Sequence, residues 1–146
     1  MRGMNIGLLI RLLYRNVSSL LDEKLKSVGI SQSQLEYFMA ISGNEGINQK
    51  ALAETLHVGK TSSTKAVKRL IDQGLVYREP NEDDQRHFNL YITEKGDSMR
   101  DDFKKIFLDT QSGIMSDLSD QELEQLQGLL ERLLKKTDAY REKDLY

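Results

Sequence analysis

Among the side chains able to do chemistry, His57 and His87 with the acids Glu82, Asp83 and Asp84 come nearest to a reactive cluster. A bound metal needs several such ligands on converging elements. With no cysteine in the chain, a solvated acidic turn accounts better for these residues. Gly59-Lys60-Thr61 echoes the end of a phosphate-binding loop. That motif needs a further glycine five positions earlier, where Glu54 stands between helical Ala53 and Thr55. Asp101 and Asp102 are neighbours on a helix and face different ways. There is no Ser-His-Asp order, HExxH pair or glycine-rich cofactor loop, so the expectation is a protein that is not an enzyme and carries no cofactor or metal.

What remains is the chemistry of cations and hydroxyls. From Thr55 to Ile71 the chain has Lys60, Lys65, Lys68 and Arg69 and no acid. At helical spacing Thr61, Lys65 and Lys68 share one face, while Ser63, Ala66, Val67, Leu70 and Ile71 share the other. A charged helix face is usually only solvated. Here it is followed by an acidic, turn-rich hairpin that closes on Arg86, and together Leu56 to Arg86 read as a DNA-reading unit. The formal net charge of -2 does not oppose this, because binding needs only a local excess and the acids collect in the C-terminal third.

The elements that position these residues follow from periodicity and capping. Residues 5–28 read as a helix with an apolar stripe through Ile6, Leu9, Ile10, Leu13, Val17, Leu20 and Leu21, stopped by Gly29. Ser31 and Gln34 form a capping box opening a second helix, whose end Gly43 and Gly46 bracket. Ile47 and Asn48 are the staple and N-cap of a short third helix reaching about His57. After a turn at Val58-Gly59 the basic helix spans residues 60–73, with Gly74 as its left-handed stop. Two short helices joined by a tight turn make a helix-turn-helix. Residues 75–79 and 87–92 are strands, and Pro80 begins the loop between them. Thr93 caps a fifth helix, and Ser119 with Glu122 forms a second capping box before a sixth. In that last helix Leu123, Leu126, Leu130, Leu133, Thr137 and Tyr140 keep the alternating spacing of a heptad seam.

The fold class expected is mainly α with a small two-stranded antiparallel wing (α+β). With 146 residues, 38% of them hydrophobic and 30% charged, the chain reads as a single domain, 1–146. Within it, residues 30–96 form the helix-turn-helix lobe, and 1–29 with 97–146 form a helical dimerisation region. One copy has little to bury the terminal apolar stripes against, so Ile6, Leu9, Ile10, Leu13, Leu123, Leu126, Leu130, Leu133 and Tyr140 are expected to pair across a two-fold axis. The segment Ile6–Leu13 holds Arg11 and is followed by Arg15, which is too short and too charged for a membrane span. The absence of cysteine makes the reducing cytoplasm the expected location.

In this order of elements the chain resembles the MarR family (multiple antibiotic resistance regulators) over essentially its whole length. The most specific residues are Asp84-Gln85-Arg86 followed by Ile92-Thr93-Glu94-Lys95-Gly96, which match the D-x-R and L/I-T-x-x-G signature of the family's wing. The turn residues Leu56 and Val58, and the helix exit Leu70 with Gly74-Leu75-Val76, agree. The resemblance implies a winged helix-turn-helix regulator with N- and C-terminal dimerisation helices. Arg86 would enter the minor groove of double-stranded DNA with Asp84 orienting it. Lys60, Thr61, Ser62, Thr64 and Lys65 would face the major groove, with Lys68, Arg69 and Arg78 nearer the phosphates. Lys65 stands where many relatives carry arginine, and Lys68 where they often carry an acid, which leaves Asp84 as the wing arginine's partner.

The function implied is a homodimeric, sequence-specific transcriptional repressor of a pseudo-palindromic operator. A small apolar or aromatic effector would release it from a pocket lined by Tyr14, Arg15, Tyr37, Phe38, Met39, Phe103 and Phe107. Core packing is the plainer reading of the apolar members of that set. The alternative function is a protein-protein interaction module that uses the terminal heptad helix to recruit a different partner.

Overall fold

A computed structural model describes residues 4–144, with side chains from 5 to 139. The chain divides into two compact units, one reaching to Leu108 and the other beginning at Asp109. In the first unit, α1 (Met4–Leu25) runs into a single 3-10 turn (Lys26–Val28) and stops at Gly29. Gly29 has φ 78, a left-handed conformation that costs a side chain-bearing residue about 1 kcal/mol or more. The apolar stripe of α1 divides along its length. Leu21 and Leu25 enter the core, whereas Ile6, Leu9, Ile10 and Leu13 are exposed.

The predicted caps form. Ser31 opens α2 (Gln32–Gly43): its Oγ accepts from the Gln34 amide at 3.2 Å, and its own amide donates to Gln34 Oε1 at 3.0 Å. A second satisfied donor at this helix start is the Gln32 amide, which donates to Asp22 Oδ1 at 2.7 Å. There the carboxylate also complements the positive end of the helix dipole. Asn48 caps α3 (Gln49–Thr55) by accepting from the Ala51 amide at 2.8 Å. In the turn to α4 (Lys60–Asp72) the left-handed residue is His57, φ 53, whereas Gly59 is extended and serves as the N-cap. At the far end of α4, Gly74 takes the left-handed conformation, φ 73, expected of a helix stop.

Strands β1 (Val76–Pro80) and β2 (Phe88–Ile92) pair antiparallel, with Val76 opposite Ile92, Arg78 opposite Leu90 and Pro80 opposite Phe88. Pro80 therefore ends the first strand and does not begin the loop, a place where its missing N–H is tolerated. The wing has a third member that the sequence did not announce. Gly46 donates to the Leu90 carbonyl at 2.8 Å, Leu90 donates to Ile47 at 2.9 Å, and Asn48 bridges Asn89. The α2–α3 connection thus lies along the free edge of β2 and roots the wing in the helical lobe.

Thr93 starts α5 (Glu94–Met115), its Oγ1 accepting from the Gly96 amide at 2.9 Å and donating to the Gly74 carbonyl at 2.5 Å. A Cβ on Gly96 would run into the Leu75 carbonyl oxygen, so the first turn of α5 crosses that backbone only because residue 96 is glycine. The core beneath these elements joins Leu21, Leu25, Leu35, Phe38, Ile41, Leu52, Val67, Leu70, Leu75, Val76, Leu90, Ile92 and Phe103. In the second unit, α6 (Asp120–Asp144) opens on the expected Ser119–Glu122 capping box, with both reciprocal bonds present.

Candidate nucleic-acid interface

Helix α4 divides as its periodicity requires. Ser63, Ala66, Val67 and Leu70 are buried, which turns Lys60, Thr61, Ser62, Thr64, Lys65, Lys68 and Arg69 outward. Thr64 donates its hydroxyl to the Lys60 carbonyl at 2.8 Å, so what it offers outward is an acceptor and a methyl group. The lysines supply point charges on flexible stems, suited to phosphate and to single acceptors on base edges.

The wing tip is built by Asn81, which the sequence reading passed over. Its Oδ1 accepts from the amides of Asp83 at 2.8 Å and Asp84 at 3.2 Å, its amide donates to the His87 carbonyl at 2.8 Å, and its Nδ2 donates to Asn89 Oδ1 at 3.2 Å. The available signal was an asparagine two and three residues before a pair of acids after a strand, the pattern of an Asx turn. The turn delivers Asp84 to Arg86. Asp84 Oδ1 accepts from the Arg86 amide and from Nε, both at 3.1 Å, and Oδ2 accepts from an Arg86 Nη at 3.2 Å.

Those bonds from the Arg86 side chain, and then from its backbone, hold the Asp84 carboxyl below the usual aspartate range. His87 Nε2 lies 3.6 Å from Asp84 Oδ2, too far for a hydrogen bond but near enough to favour the carboxylate further when the imidazole is charged. The Arg86 side chain remains 88% exposed, so Asp84 takes up one edge of the guanidinium and leaves the rest facing outward.

On the strands, the Arg78 guanidinium lies 4.6 Å from the centre of the Phe88 ring, and Tyr77 stacks on Tyr91 at 5.4 Å. Arg78 is thereby fixed across the sheet with its charge exposed. The root of the wing is tied by Glu45, which accepts from the Ile92 amide at 2.9 Å and faces an Arg100 Nη at 3.8 Å.

The residues suggested for an effector pocket lie in different surroundings. Phe38 and Phe103 are fully buried and pack edge to face at 5.0 Å, Tyr37 is buried, Met39 and Phe107 are half-buried, and Tyr14 and Arg15 stand exposed on α1. Among the described residues no three His, Asp or Glu side chains gather as a metal site, and no helix is long and apolar enough to cross a membrane.

A MarR-family model matches residues 28–87, from the end of the 3-10 turn through the wing tip. The fold extends the match over nearly the whole chain. A MarR transcriptional regulator from Methanosarcina mazei superposes with a TM-score of 0.86 at 28% identity, covering 94% of this chain and 99% of that one. The helix-turn-helix and wing match the MarR family, and the fold around them is that of a MarR regulator. An uncharacterized HTH-type transcriptional regulator of Bacillus subtilis, YybA, is 28% identical over 126 residues, 86% of this chain and 84% of that protein. A mutant E. coli MarR crystallised with operator DNA superposes with a TM-score of 0.84 at 25% identity, covering 91% of this chain and 96% of the other.

Proposed function

We propose that this MarR-family transcriptional regulator binds a pseudo-palindromic operator as a homodimer, represses by occupying the promoter, and is released by a small apolar or aromatic effector. The observation that carries the reading is the presentation of Arg86 from an exposed wing tip, oriented by Asp84, on the same lobe as the cationic outer face of α4, whose one acid, Asp72, stands at its C-terminal end. Lys60, Thr61, Ser62, Thr64 and Lys65 enter the major groove. Lys68, Arg69 and Arg78 engage phosphates, and Arg86 enters the adjacent minor groove, where a narrow groove concentrates negative potential.

The second copy is the natural partner for the apolar surface left exposed on the terminal helices, including Leu9 and Leu13 of α1 and Leu126, Leu130 and Leu133 of α6. Fully burying an exposed leucine contributes very roughly 1.5–3 kcal/mol, and each of these, 39–62% exposed in the single chain, contributes about half of that. Leu123 is half-buried, and the side chain of Tyr140 lies outside the described residues. Two recognition helices must meet half-sites about 34 Å apart, so a ligand that favours another separation weakens binding by its differential affinity for the two states. Because Phe38 and Phe103 fill each other's space, such a ligand enters at the rim where Met39 and Phe107 are only half-buried.

The test is a gel-shift titration on sheared genomic DNA at two salt concentrations. Salt-sensitive binding with a sequence-dependent remainder, lost by about tenfold or more in Arg86→Ala, is expected. Absence of binding at low salt would refute the reading.

A further inference from the structure

The C-terminal end of α4, opposite the end that carries Lys60, is held by a set of polar bonds. Gln73 Oε1 accepts from Gln34 Nε2 at 2.8 Å, Gln73 Nε2 donates to the Gly29 carbonyl at 3.0 Å, and the Gln73 carbonyl accepts from Lys95 Nζ at 2.9 Å. Gln34 is itself buried, and its own side-chain oxygen accepts from the Ser31 amide. One residue at the exit of α4 is therefore tied to the stop of the 3-10 turn, to the first turn of α2 and to the first turn of α5.

We infer that Gln73 and Gln34 are positioning residues for DNA sequence readout. They set the angle at which α4 leaves the lobe without touching DNA themselves. The leverage comes from length. Thirteen residues of α4 span about 20 Å at 1.5 Å per residue, so a tilt of about 10° about the C-terminal end moves Lys60 by about 3 Å. Hydrogen bonds to base edges fail over much smaller displacements, whereas attraction to phosphates survives them. Buried apolar contacts through Val67 and Leu70 resist translation of the helix but are non-directional. The paired amides, each with a defined donor and acceptor edge, supply the angular constraint.

This inference rests on the DNA-binding reading above. The full-length protein is used to select a duplex from a randomised pool, and affinity for that duplex is compared with affinity for a random-sequence duplex of equal length. Gln73→Met is expected to lower the ratio of the two affinities by about tenfold, with random-duplex affinity and its salt dependence unchanged. Gln34→Met is expected to lower it as well, and the double variant no further than Gln73→Met alone, because both changes remove the Gln34–Gln73 bond and Gln73→Met also removes the bond to Gly29. An unchanged ratio, a parallel fall on both duplexes, or additive effects would overturn the positioning role. Failure of the unsubstituted protein to select any duplex would instead overturn the DNA-binding reading, and this inference with it.

Discussion

Asp84 grips Arg86 through both carboxylate oxygens, at 3.1 and 3.2 Å, while the arginine side chain stays 88% exposed. An exposed ion pair of this kind adds little to stability. Its effect is geometric, since it restricts a long side chain before a partner arrives and so reduces the entropy lost on binding. Asp84→Asn keeps the size of the side chain and loses the charge. Operator affinity is expected to fall by about three- to tenfold, less than in Arg86→Ala, with the melting temperature unchanged. Fluorescence anisotropy on labelled duplex and a thermal melt measure both.

The same pair sets a pH dependence. The Asp84 carboxyl lies below its ordinary value of 3.8 because Arg86 hydrogen-bonds the charged form. A carboxyl depressed in the folded state contributes its interaction fully above the ordinary value and loses it as pH falls through the folded value. The wing-tip geometry is therefore expected to persist at pH 5 and to be lost only below about pH 3.8. Carbon-detected NMR titration of the Asp84 carboxyl should show a midpoint below 3.8 that moves up toward it in Arg86→Ala.

Gly96→Ala separates local propensity from tertiary contact. In an isolated helix alanine is favoured over glycine by about 1 kcal/mol. Here the added Cβ meets the Leu75 carbonyl and lies 2.8 Å from Ile92 Cγ2. The expected outcome is destabilisation by about 1–3 kcal/mol, read by urea denaturation. A gain in stability would show that α5 can slide away from the wing root.

Phe38 and Phe103 join α2 to α5 by an edge-to-face contact inside the core. Phe103→Ala is expected to cost about 3–5 kcal/mol. A double-mutant cycle with Phe38→Ala should return a coupling of about 0.5–1.5 kcal/mol. Additive losses would mean that the rings share a core without interacting.

Leu130→Asp tests the proposed dimer. Leu130 is exposed in the single chain, so the change leaves the helix-turn-helix lobe intact and burdens only a surface that a second copy would cover. Analytical ultracentrifugation is expected to show monomer, with operator binding weakened at least 100-fold because one half-site alone binds poorly. A monomer with full affinity would break the link between assembly and function.

Much of this architecture is written in short-range signals. The Ser31–Gln34 and Ser119–Glu122 boxes, the Asn48 cap and the glycine stops at 29 and 74 each depend on residues within about four positions, where backbone geometry leaves few alternatives. The division of α4 into buried and outward faces follows likewise from its period, and the Asp84–Arg86 pair spans only two residues.

What the tertiary structure decided are contacts between side chains and backbone groups far apart in the chain. Gln73 reaches Gly29 and Gln34, Glu45 reaches Ile92 and Arg100, and residues 46–48 join the edge of β2. No local pattern encodes them, because a glutamine or glutamate is equally at home in solvent and acquires a partner only when packing brings an unsatisfied donor or acceptor within reach. The aromatic residues show the same division. Their spacing placed them on apolar helix faces, but only packing could decide that Phe38 and Phe103 fill each other's space. The sequence by itself determined the wing and the cationic helix, through spacing and capping. Their mutual orientation was left to the hydrogen bonds at Gln73, Thr93 and Glu45, whose partners lie 19 to 47 positions away in the chain.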